Sequence, residues 1–252
     1  MITPSHMAPR PAWVVGTGFL GSCLLRALPH AVGIDSAVPA DVCGNAADAA
    51  VLAQAVKLLE PECIFCCTAS HGGDAEAYRR AYADVVQALP PVVRVVFCSS
   101  TSVEHADGER QQILRAAEDA VLARGGVVAR LAPLYGPGRC ELLRRHLARE
   151  PRLAGEDGRV FNYLHVQDAV SALLHLAACG ESRCYTVSGE SFTKAEAYAL
   201  LERLTGIPAS ATDAAYSCRG GGSRAVDCSA IRALGWNPAH TFADFVTAQC
   251  HA

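Results

Sequence analysis

Three glycines, Gly16, Gly18 and Gly21, form a G-x-G-x-x-G spacing directly after the apolar residues Val14 and Val15. A turn with this spacing lets backbone amides approach a pyrophosphate, and the positive end of the following helix stabilises the phosphate charge. Gly16 permits the tight turn, Gly18 the close approach of the ligand, and Gly21 the close packing of helix against strand. The spacing therefore predicts a dinucleotide-binding turn. Its residues are Gly16, Thr17, Gly18, Phe19, Leu20 and Gly21.

An acidic residue follows where the ribose of such a nucleotide is expected. The apolar segment 31–34 predicts a second strand, and Asp35 comes directly after it, nineteen residues beyond Gly16. A carboxylate there accepts hydrogen bonds from the adenosine ribose and repels a 2′-phosphate. Because no Arg or Lys occurs between Asp35 and Asp41, NAD is favoured as cofactor and NADP is the alternative. Asp41 is interpreted equally as a contact to the adenine edge or as an ordinary loop carboxylate.

Small polar residues follow the apolar segment 63–68, which predicts a buried strand. A turn at the carboxyl end of a central strand lies over the nucleotide in a doubly wound sheet. Thr68, Ala69 and Ser70 are therefore predicted cofactor contacts. His71 is a candidate substrate contact, with a solvated loop histidine as the alternative.

Hydroxyl groups follow the next predicted strand, which covers residues 92–97. Ser100 and Thr101 belong to a run of four hydroxyl residues there. A hydroxyl at this edge can hydrogen-bond a substrate carbonyl or alcohol. Ser100 is accordingly a candidate catalytic residue and Thr101 a candidate substrate contact, whereas the alternative is an ordinary serine-rich strand end.

Apolar strands alternate with amphipathic helices along most of the chain, which predicts an α/β fold with a doubly wound parallel sheet of the Rossmann type. We expect a nucleotide-binding domain over residues 11–135. Residues 136–252 are expected to complete the sheet and to form a small discontinuous C-terminal lobe that binds substrate. Asn45 is predicted to cap one helix, and Thr193 with Glu196 forms a predicted capping box for another.

The composition excludes several classes of function. The chain has 252 residues, a net charge of -3 and 51% hydrophobic residues. Its basic residues are scattered, so no nucleic-acid surface is predicted. No apolar run is long enough for a membrane span, and residues 1–11 lack the apolar core of a signal peptide, so a cytoplasmic protein is expected. Ser5-His6-Met7 resembles a cloning remnant, and residues 1–10 are left out of the fold prediction.

Twelve cysteines raise the question of a metal site, because Cys63 and Cys66 form a C-x-x-C spacing. A structural zinc site needs four ligands, and no second C-x-x-C spacing occurs. Both residues lie in the apolar segment 63–67, where free cysteine behaves as a small hydrophobic residue. Core packing is therefore predicted, with no metal, and the dispersed thiols suit a reducing compartment.

Several motifs occur in an order that resembles the NAD-dependent epimerase/dehydratase branch of the short-chain dehydrogenase/reductase superfamily. The glycine spacing is similar to that of the atypical members of this branch, more than to that of its extended enzymes. The resemblance extends from residue 12 over nearly the whole chain. It implies a Rossmann domain with a small C-terminal substrate domain, a nicotinamide cofactor, and Ser100 at the position of the family's catalytic Ser/Thr. The motifs are the glycine spacing at 16–21 and the segments 97–103, 129–139, 162–169 and 233–238.

The catalytic tyrosine and lysine of that family are missing. Family enzymes carry Y-x-x-x-K, in which the tyrosine is the general acid/base and the lysine lowers its pKa and holds the nicotinamide ribose. When the chain is aligned at Glu118, Arg110 takes the tyrosine position and Leu114 the lysine position. The usual tyrosine-driven oxidation of an alcohol is therefore not expected.

Two residues are candidates to replace the missing proton donor. Glu104, which is followed by His105, could act in proton transfer, or it belongs to a solvated polar loop. Tyr135 is the second candidate, with a packing role as the alternative. Both are named here as candidate catalytic residues.

Substrate contacts are predicted in the C-terminal half. Arg139 offers a charge to an anionic substrate group. Asn162 and His165 resemble the family's strand that borders the substrate pocket. Arg224 stands shortly before the segment 226–229, where the family often has an arginine that faces substrate.

Three functions are compatible with intact phosphate-binding glycines and a lost Tyr/Lys pair. The first is an NAD(P)-dependent oxidoreductase that acts on a small polar metabolite without that pair. The second is a non-redox lyase, isomerase or cyclase on the same scaffold. The third is a nucleotide-sensing regulator without turnover. The first two functions imply a small-molecule substrate. A homodimer is compatible with all three functions.

Overall fold

The computed structural model describes residues 11–69, 74–91, 93–154, 157–217 and 225–250. The chain divides into two compact units. The first unit contains Met1–Val103, Asp107–Arg130 and Val170–Tyr185, and the second contains Glu104–Ala106, Leu131–Ala169 and Thr186–Ala252. The domain boundary at residue 135 stays a prediction.

The strands of the structure are β1 (Ala12–Val15), β2 (Val32–Asp35), β3 (Val42–Cys43), β4 (Cys63–Cys66), β5 (Arg94–Ser100), β6 (Val127–Leu131), β7 (Leu134–Tyr135), β8 (Arg152–Ala154), β9 (Val160–His165), β10 (Cys184–Val187), β11 (Glu190–Thr193) and β12 (Thr212–Ser217). The helices are α1 (Phe19–Ala27), α2 (Ala49–Leu58), α3 (Ala75–Arg79), α4 (Val85–Ala88), α5 (Glu109–Ala123), α6 (Glu141–Leu147), α7 (Val166–Cys179), α8 (Lys194–Thr205), α9 (Ser229–Ala233) and α10 (Phe242–Cys250). A π-helical turn, Arg80–Asp84, joins α3 to α4.

Seven strands form one sheet in the order β10-β6-β5-β4-β1-β2-β3. The pairings of β1 with β2 and β4, of β2 with β3 and of β4 with β5 are parallel. From β1 the chain order runs outward in both directions, so β1 and β4 mark a topological switch point, where such sheets bind ligands. The predicted Rossmann-like α/β fold with a parallel sheet is confirmed.

The core of the first unit covers one face of this sheet. Trp13 and Val15 of β1, Ile64 of β4 and Phe97 of β5 share that face because side chains alternate along a strand. Helices α2 to α5 pack on it. Trp13 is completely buried, and its indole N–H donates to the carbonyl oxygen of Leu59 over 2.9 Å, so its polar atom is satisfied.

The second unit contains two smaller sheets, β11-β9-β7 and β12-β8. Its core is a cluster of aromatic rings contributed by β7, β9, β11 and α10. Tyr135, Tyr163 and Phe242 lie at its centre, with ring centroids 5.3 to 5.5 Å apart. Neither small sheet is predicted from the sequence, because the pairing of its short strands joins residues that are far apart in the chain.

Several local predictions are tested by the fold. Cys63 and Cys66 are buried, which confirms their predicted core packing. The capping box of α8 is confirmed, since Thr193 and Glu196 satisfy each other's backbone amides. The predicted cap at Asn45 is wrong: α2 begins at Ala49, and the Asn45 side chain instead accepts a hydrogen bond from the Ala47 amide in the preceding turn. An Asx turn thus took the place of the cap.

Among the described residues no helix has the length and apolar character needed to cross a membrane. Within the same residues no group of three or more metal-ligating side chains comes together.

Candidate functional site

The glycine turn between β1 and α1 is closely packed at two of its three glycines. Gly16 has a φ of +89°, and a Cβ there would lie 2.7 Å from the Cys67 carbonyl group. A Cβ on Gly21 would lie 1.9 Å from the carbonyl oxygen of Gly16. At Gly18 a Cβ would meet none of the described residues within 4 Å. The chain therefore needs Gly16 and Gly21 for its own packing, whereas at Gly18 it leaves open space.

Helix α1 starts directly in this turn. Gly18 is its N-cap, and among the described residues no side chain caps the helix. The first amides of a helix have no acceptor within the helix and carry partial positive charge. The predicted cofactor residues Thr17, Phe19 and Leu20 therefore lie around a helix start whose amides suit an anion.

Asp35 ends β2 and lies at the glycine turn. Its Oδ2 accepts a hydrogen bond from the Thr17 amide over 2.6 Å, and its Oδ1 accepts from the amides of Ala37 and Val38 over 2.7 and 3.2 Å. Burial raises the pKa of this carboxyl, but the three amide hydrogen bonds outweigh burial and lower its pKa below the ordinary value. The carboxylate is thus held ionised, and its one remaining lone-pair site can accept from a ribose hydroxyl.

The lowered pKa of Asp35 predicts a pH-dependent stability. A carboxyl whose folded pKa is depressed contributes stability that is complete above its unfolded pKa of about 3.9 and is lost as pH falls through the folded value. We expect the difference in free energy of unfolding between the wild type and Asp35→Asn to be constant above about pH 5 and to shrink below about pH 4. Urea denaturation over this range measures it, and a difference that does not change with pH contradicts the assignment.

Asp41 bonds to the neighbouring strand. Its Oδ2 accepts a hydrogen bond from the Gly33 amide of β2 over 2.8 Å, while the residue as a whole is exposed. This contact gives Asp41 a structural role in the loop and favours the second of its two interpretations. A contact to adenine stays a prediction.

The ends of β4 and β5 carry buried hydroxyls that lack partners. Within the described chain, Thr68 Oγ1 and Ser99 Oγ are buried and make no hydrogen bond. A buried hydroxyl without a partner costs about 1 to 3 kcal/mol, which a bound polar ligand would offset. Ala69 is exposed beside Thr68. The predicted contacts Ser70 and His71 lie outside the described residues.

The hydroxyl run after β5 is partly engaged in the chain's own structure. Ser100 Oγ accepts a hydrogen bond from the Ser102 amide over 3.1 Å. An acceptor of this kind keeps its own hydrogen for donation to another group. Thr101 is only 6% exposed. Ser100, which is partly exposed, is therefore better suited to donate to a ligand than Thr101.

The positions of the missing Tyr/Lys pair lie on α5. Leu114 is buried in the core of the first unit. The Arg110 guanidinium lies 5.6 Å from the ring centroid of Tyr78 on α3. Burial raises the pKa of Tyr78 although the hydroxyl of Tyr82 and the charge of Arg110 lower it. The sequence does not predict this contact between Arg110 and Tyr78, because the two residues lie on different helices.

Glu104 bonds within the second unit. Its Oε1 accepts a hydrogen bond from the Thr186 hydroxyl of β10 over 2.7 Å. The residue is half-buried and not part of a fully solvated loop. Proton transfer by Glu104 is untested and stays a prediction.

Tyr135 is packed in the aromatic core of the second unit. It is 2% exposed, and its ring contacts Tyr163, His165 and Phe245 at centroid distances of 5.2 to 5.3 Å. Burial, with the nearby carboxylates of Glu190 and others, raises the pKa of Tyr135 well above its ordinary value. These facts favour the packing role, although proton transfer by Tyr135 is not directly tested.

The four predicted substrate contacts have different environments. Asn162 is 8% exposed, and its Oδ1 accepts from the Ser191 hydroxyl and the Val226 amide over 2.6 and 3.1 Å. Arg139 is exposed in a tight turn closed by hydrogen bonds with Gly136. Arg224 lies outside the described residues. All of these contacts stay predictions.

His165 belongs to a group that sequence reasoning did not find. Its ring stacks on that of His240 at a centroid distance of 4.2 Å. The buried Asp168 accepts from the His240 amide over 3.0 Å and contacts its Nδ1 over 2.8 Å. Burial and His240 lower the pKa of His165 more than Asp168 raises it. Asp168 thus anchors the segment before α10.

The comparisons with known proteins agree on the fold. No protein-family model matches the chain, and no curated protein sequence matches it. The UDP-glucose 4-epimerase of Thermotoga maritima, solved with UDP-glucose, superposes with a TM-score of 0.80 at 16% identity, covering 96% of this chain and 97% of that chain. The Thermus thermophilus UDP-glucose 4-epimerase with NAD gives 0.79 at 19% identity, covering 96% and 98%.

A dehydratase has the same architecture. The dTDP-glucose 4,6-dehydratase of Streptomyces venezuelae, with NAD bound, superposes with a TM-score of 0.79 at 19% identity and covers 96% of each chain. At these identities the likeness establishes the fold, which is that of the epimerase/dehydratase structures.

Proposed function

We propose that this chain is an NAD-binding enzyme of the short-chain dehydrogenase/reductase type that acts on a small polar metabolite. The observation that carries the proposal is the glycine turn, in which Gly16 and Gly21 are required by packing while Gly18 leaves space at an uncapped helix start. An anionic group fits this space because helix amides stabilise negative charge. The unpartnered hydroxyls at the ends of β4 and β5 also suit a polar ligand.

NAD is the favoured cofactor and NADP the alternative. Asp35 is ionised by its amide hydrogen bonds, and a fixed negative charge repels a 2′-phosphate. The neighbouring structures that contain NAD support the same choice. The UDP-glucose in one neighbour makes nucleotide sugars the first substrates to test.

The chain's own residues have proposed roles in the reaction. Bound NAD would supply a hydride acceptor. Ser100 holds the reacting oxygen of the substrate, since its hydroxyl hydrogen is free to donate. Glu104 takes up the proton, and the hydrogen bond from Thr186 holds its carboxylate in place.

We place the enzyme in the cytoplasm, where its dispersed thiols stay reduced, and a homodimer is part of the proposal.

The loss of the Tyr/Lys pair supports two alternatives on the same scaffold. With Arg110 and Leu114 at those positions, a non-redox lyase, isomerase or cyclase would use the nucleotide only structurally. A nucleotide-sensing regulator would bind it without turnover. Both alternatives leave the nicotinamide unreduced, whereas the oxidoreductase reduces it.

Two linked measurements test the proposal. NADH and NADPH are titrated while tryptophan fluorescence is followed. We expect NADH to bind at least tenfold more tightly than NADPH, and Asp35→Ala should reduce this ratio of the two affinities. UDP-sugars are then added to the NAD complex while the nicotinamide absorbance is recorded. A change in absorbance supports the oxidoreductase, and binding without a change supports the alternatives. If neither nucleotide binds, the proposal is wrong.

A further inference from the structure

Two cysteine thiols meet where β4 and β5 end in the first unit. Cys67 follows β4 directly, Cys98 lies in β5, and their Sγ atoms are 3.6 Å apart. Cys66 pairs with Phe97 in the parallel register of these strands, so Cys67 and Cys98 are the next opposing residues. Because side chains alternate along strands, both thiols lie on the same face of the sheet.

The backbone spacing at this position suits a disulfide bond. Neighbouring strands lie about 4.7 to 4.9 Å apart. Cysteines joined by a disulfide usually have Cα atoms about 4.4 to 6.8 Å apart. The two sulfur atoms can therefore approach each other while β4 and β5 keep their pairing, and the small backbone adjustment falls on Cys67, which lies just beyond β4.

The two thiols differ in exposure. Cys67 is half-buried, whereas Cys98 is 8% exposed. The contact with Cys67, together with burial, raises the pKa of the Cys98 thiol. Cys67 is thus the thiol that an oxidant reaches first, and Cys98 is the partner that resolves the oxidised product.

We propose that Cys67 and Cys98 form a reversible disulfide in response to hydroperoxides. The Cys67 sulfur attacks one oxygen of the hydroperoxide, the O–O bond breaks, and the departing hydroxide or alkoxide takes the thiol proton, so that a sulfenic acid and water or an alcohol are formed. The Cys98 sulfur then attacks the Cys67 sulfur, the S–S bond forms, and the S–O bond breaks. The departing hydroxide takes the Cys98 proton and leaves as water. A dithiol reductant restores both thiols by exchange and is itself oxidised.

The disulfide would act on the glycine turn through the backbone. The Cys67 amide donates to the carbonyl oxygen of Val15 over 2.7 Å. The Cys67 carbonyl group lies so close to Gly16 that a Cβ there would be 2.7 Å from it. A change in the backbone at Cys67 is therefore transmitted to the turn. This consequence, unlike the disulfide itself, rests on the proposed nucleotide binding.

Peptide mapping tests the disulfide without reference to the nucleotide. The full chain is treated with hydrogen peroxide, its remaining thiols are alkylated, and the digest is analysed by mass spectrometry. We expect a peptide linked through Cys67 and Cys98 that dithiothreitol removes. It should be absent in Cys67→Ser and Cys98→Ser and present in Cys43→Ser, whose thiol is exposed elsewhere. Peroxide that oxidises exposed cysteines but gives no such link overturns the proposal.

NADH titration of the reduced and oxidised forms tests the consequence. We expect oxidation to weaken NADH binding about tenfold, with recovery on reduction and no effect in Cys98→Ser. If reduced protein fails to bind NADH while the linked peptide forms, the proposed function fails and the disulfide stands. If both forms bind equally, the regulatory consequence is wrong.

Discussion

Replacement of Gly21 by alanine is expected to lower the melting temperature by about 10 °C and to abolish NADH binding. The new Cβ would lie 1.9 Å from the carbonyl oxygen of Gly16 and 2.9 Å from its carbonyl carbon. Neither atom can move without opening the turn, because Gly16 itself packs against the backbone at Cys67. Overpacking of this kind costs about 3 kcal/mol or more, and in a chain of this size 1 kcal/mol corresponds to about 2 to 4 °C.

Gly158→Ala is the matched control. A Cβ at Gly158 would meet nothing within 4 Å, and its φ does not lie in the left-handed region. This variant should melt within about 1 °C of the wild type, since surface substitutions usually change stability by less than about 0.5 kcal/mol. Differential scanning calorimetry measures both variants. Equal melting temperatures for Gly21→Ala and the wild type would contradict the close packing of the turn.

Replacement of Glu118 by alanine is expected to lower the free energy of unfolding substantially. Glu118 on α5 is 2% exposed, and its carboxylate accepts two hydrogen bonds from the Arg130 guanidinium of β6 over 3.0 and 2.6 Å. The Arg130 side chain is 25% exposed, so its charge stays partly solvated, and we expect the loss of these two charge-assisted hydrogen bonds to cost about 2 to 3 kcal/mol. Urea denaturation should show this loss in the free energy of unfolding.

The chain offers a control with similar geometry on its surface. Glu141 also bonds twice to one guanidinium, that of Arg144, over 2.7 and 2.8 Å, but its side chain is 67% exposed. Exposed ion pairs contribute about 0 to 1 kcal/mol. Glu141→Ala should therefore be nearly neutral. Similar losses of the free energy of unfolding in Glu118→Ala and Glu141→Ala would contradict the larger contribution expected of the buried pair.

The nucleotide-binding half of the fold could be predicted because its signals are local. The glycine spacing, the apolar strand before it and Asp35 all lie within 25 residues, and strand and helix periodicities are readable over such lengths. The doubly wound parallel sheet followed from the alternation of apolar strands with amphipathic helices. The positions of Gly16 and Gly21 in close contacts agree with the roles expected of them.

Other features depend on contacts that a sequence does not display. Asp168 holds His240, which lies 72 residues away, and the aromatic packing of Tyr135 depends on rings from β9 and α10. The approach of Cys67 to Cys98 required the register of β4 and β5. The π-helical turn between α3 and α4 has no signal in the residues that form it.

Calorimetric titration of NADH into the wild type and Gly18→Ala tests the central claim most directly, namely that the turn between β1 and α1 holds the dinucleotide. A Cβ at Gly18 would meet no atom of the described residues within 4 Å, so the variant should fold with nearly unchanged stability. It should nevertheless bind NADH at least tenfold more weakly, because the added methyl group occupies the space into which the phosphate must come. Equal NADH affinity in the two proteins, or no binding by the wild type, would contradict the claim.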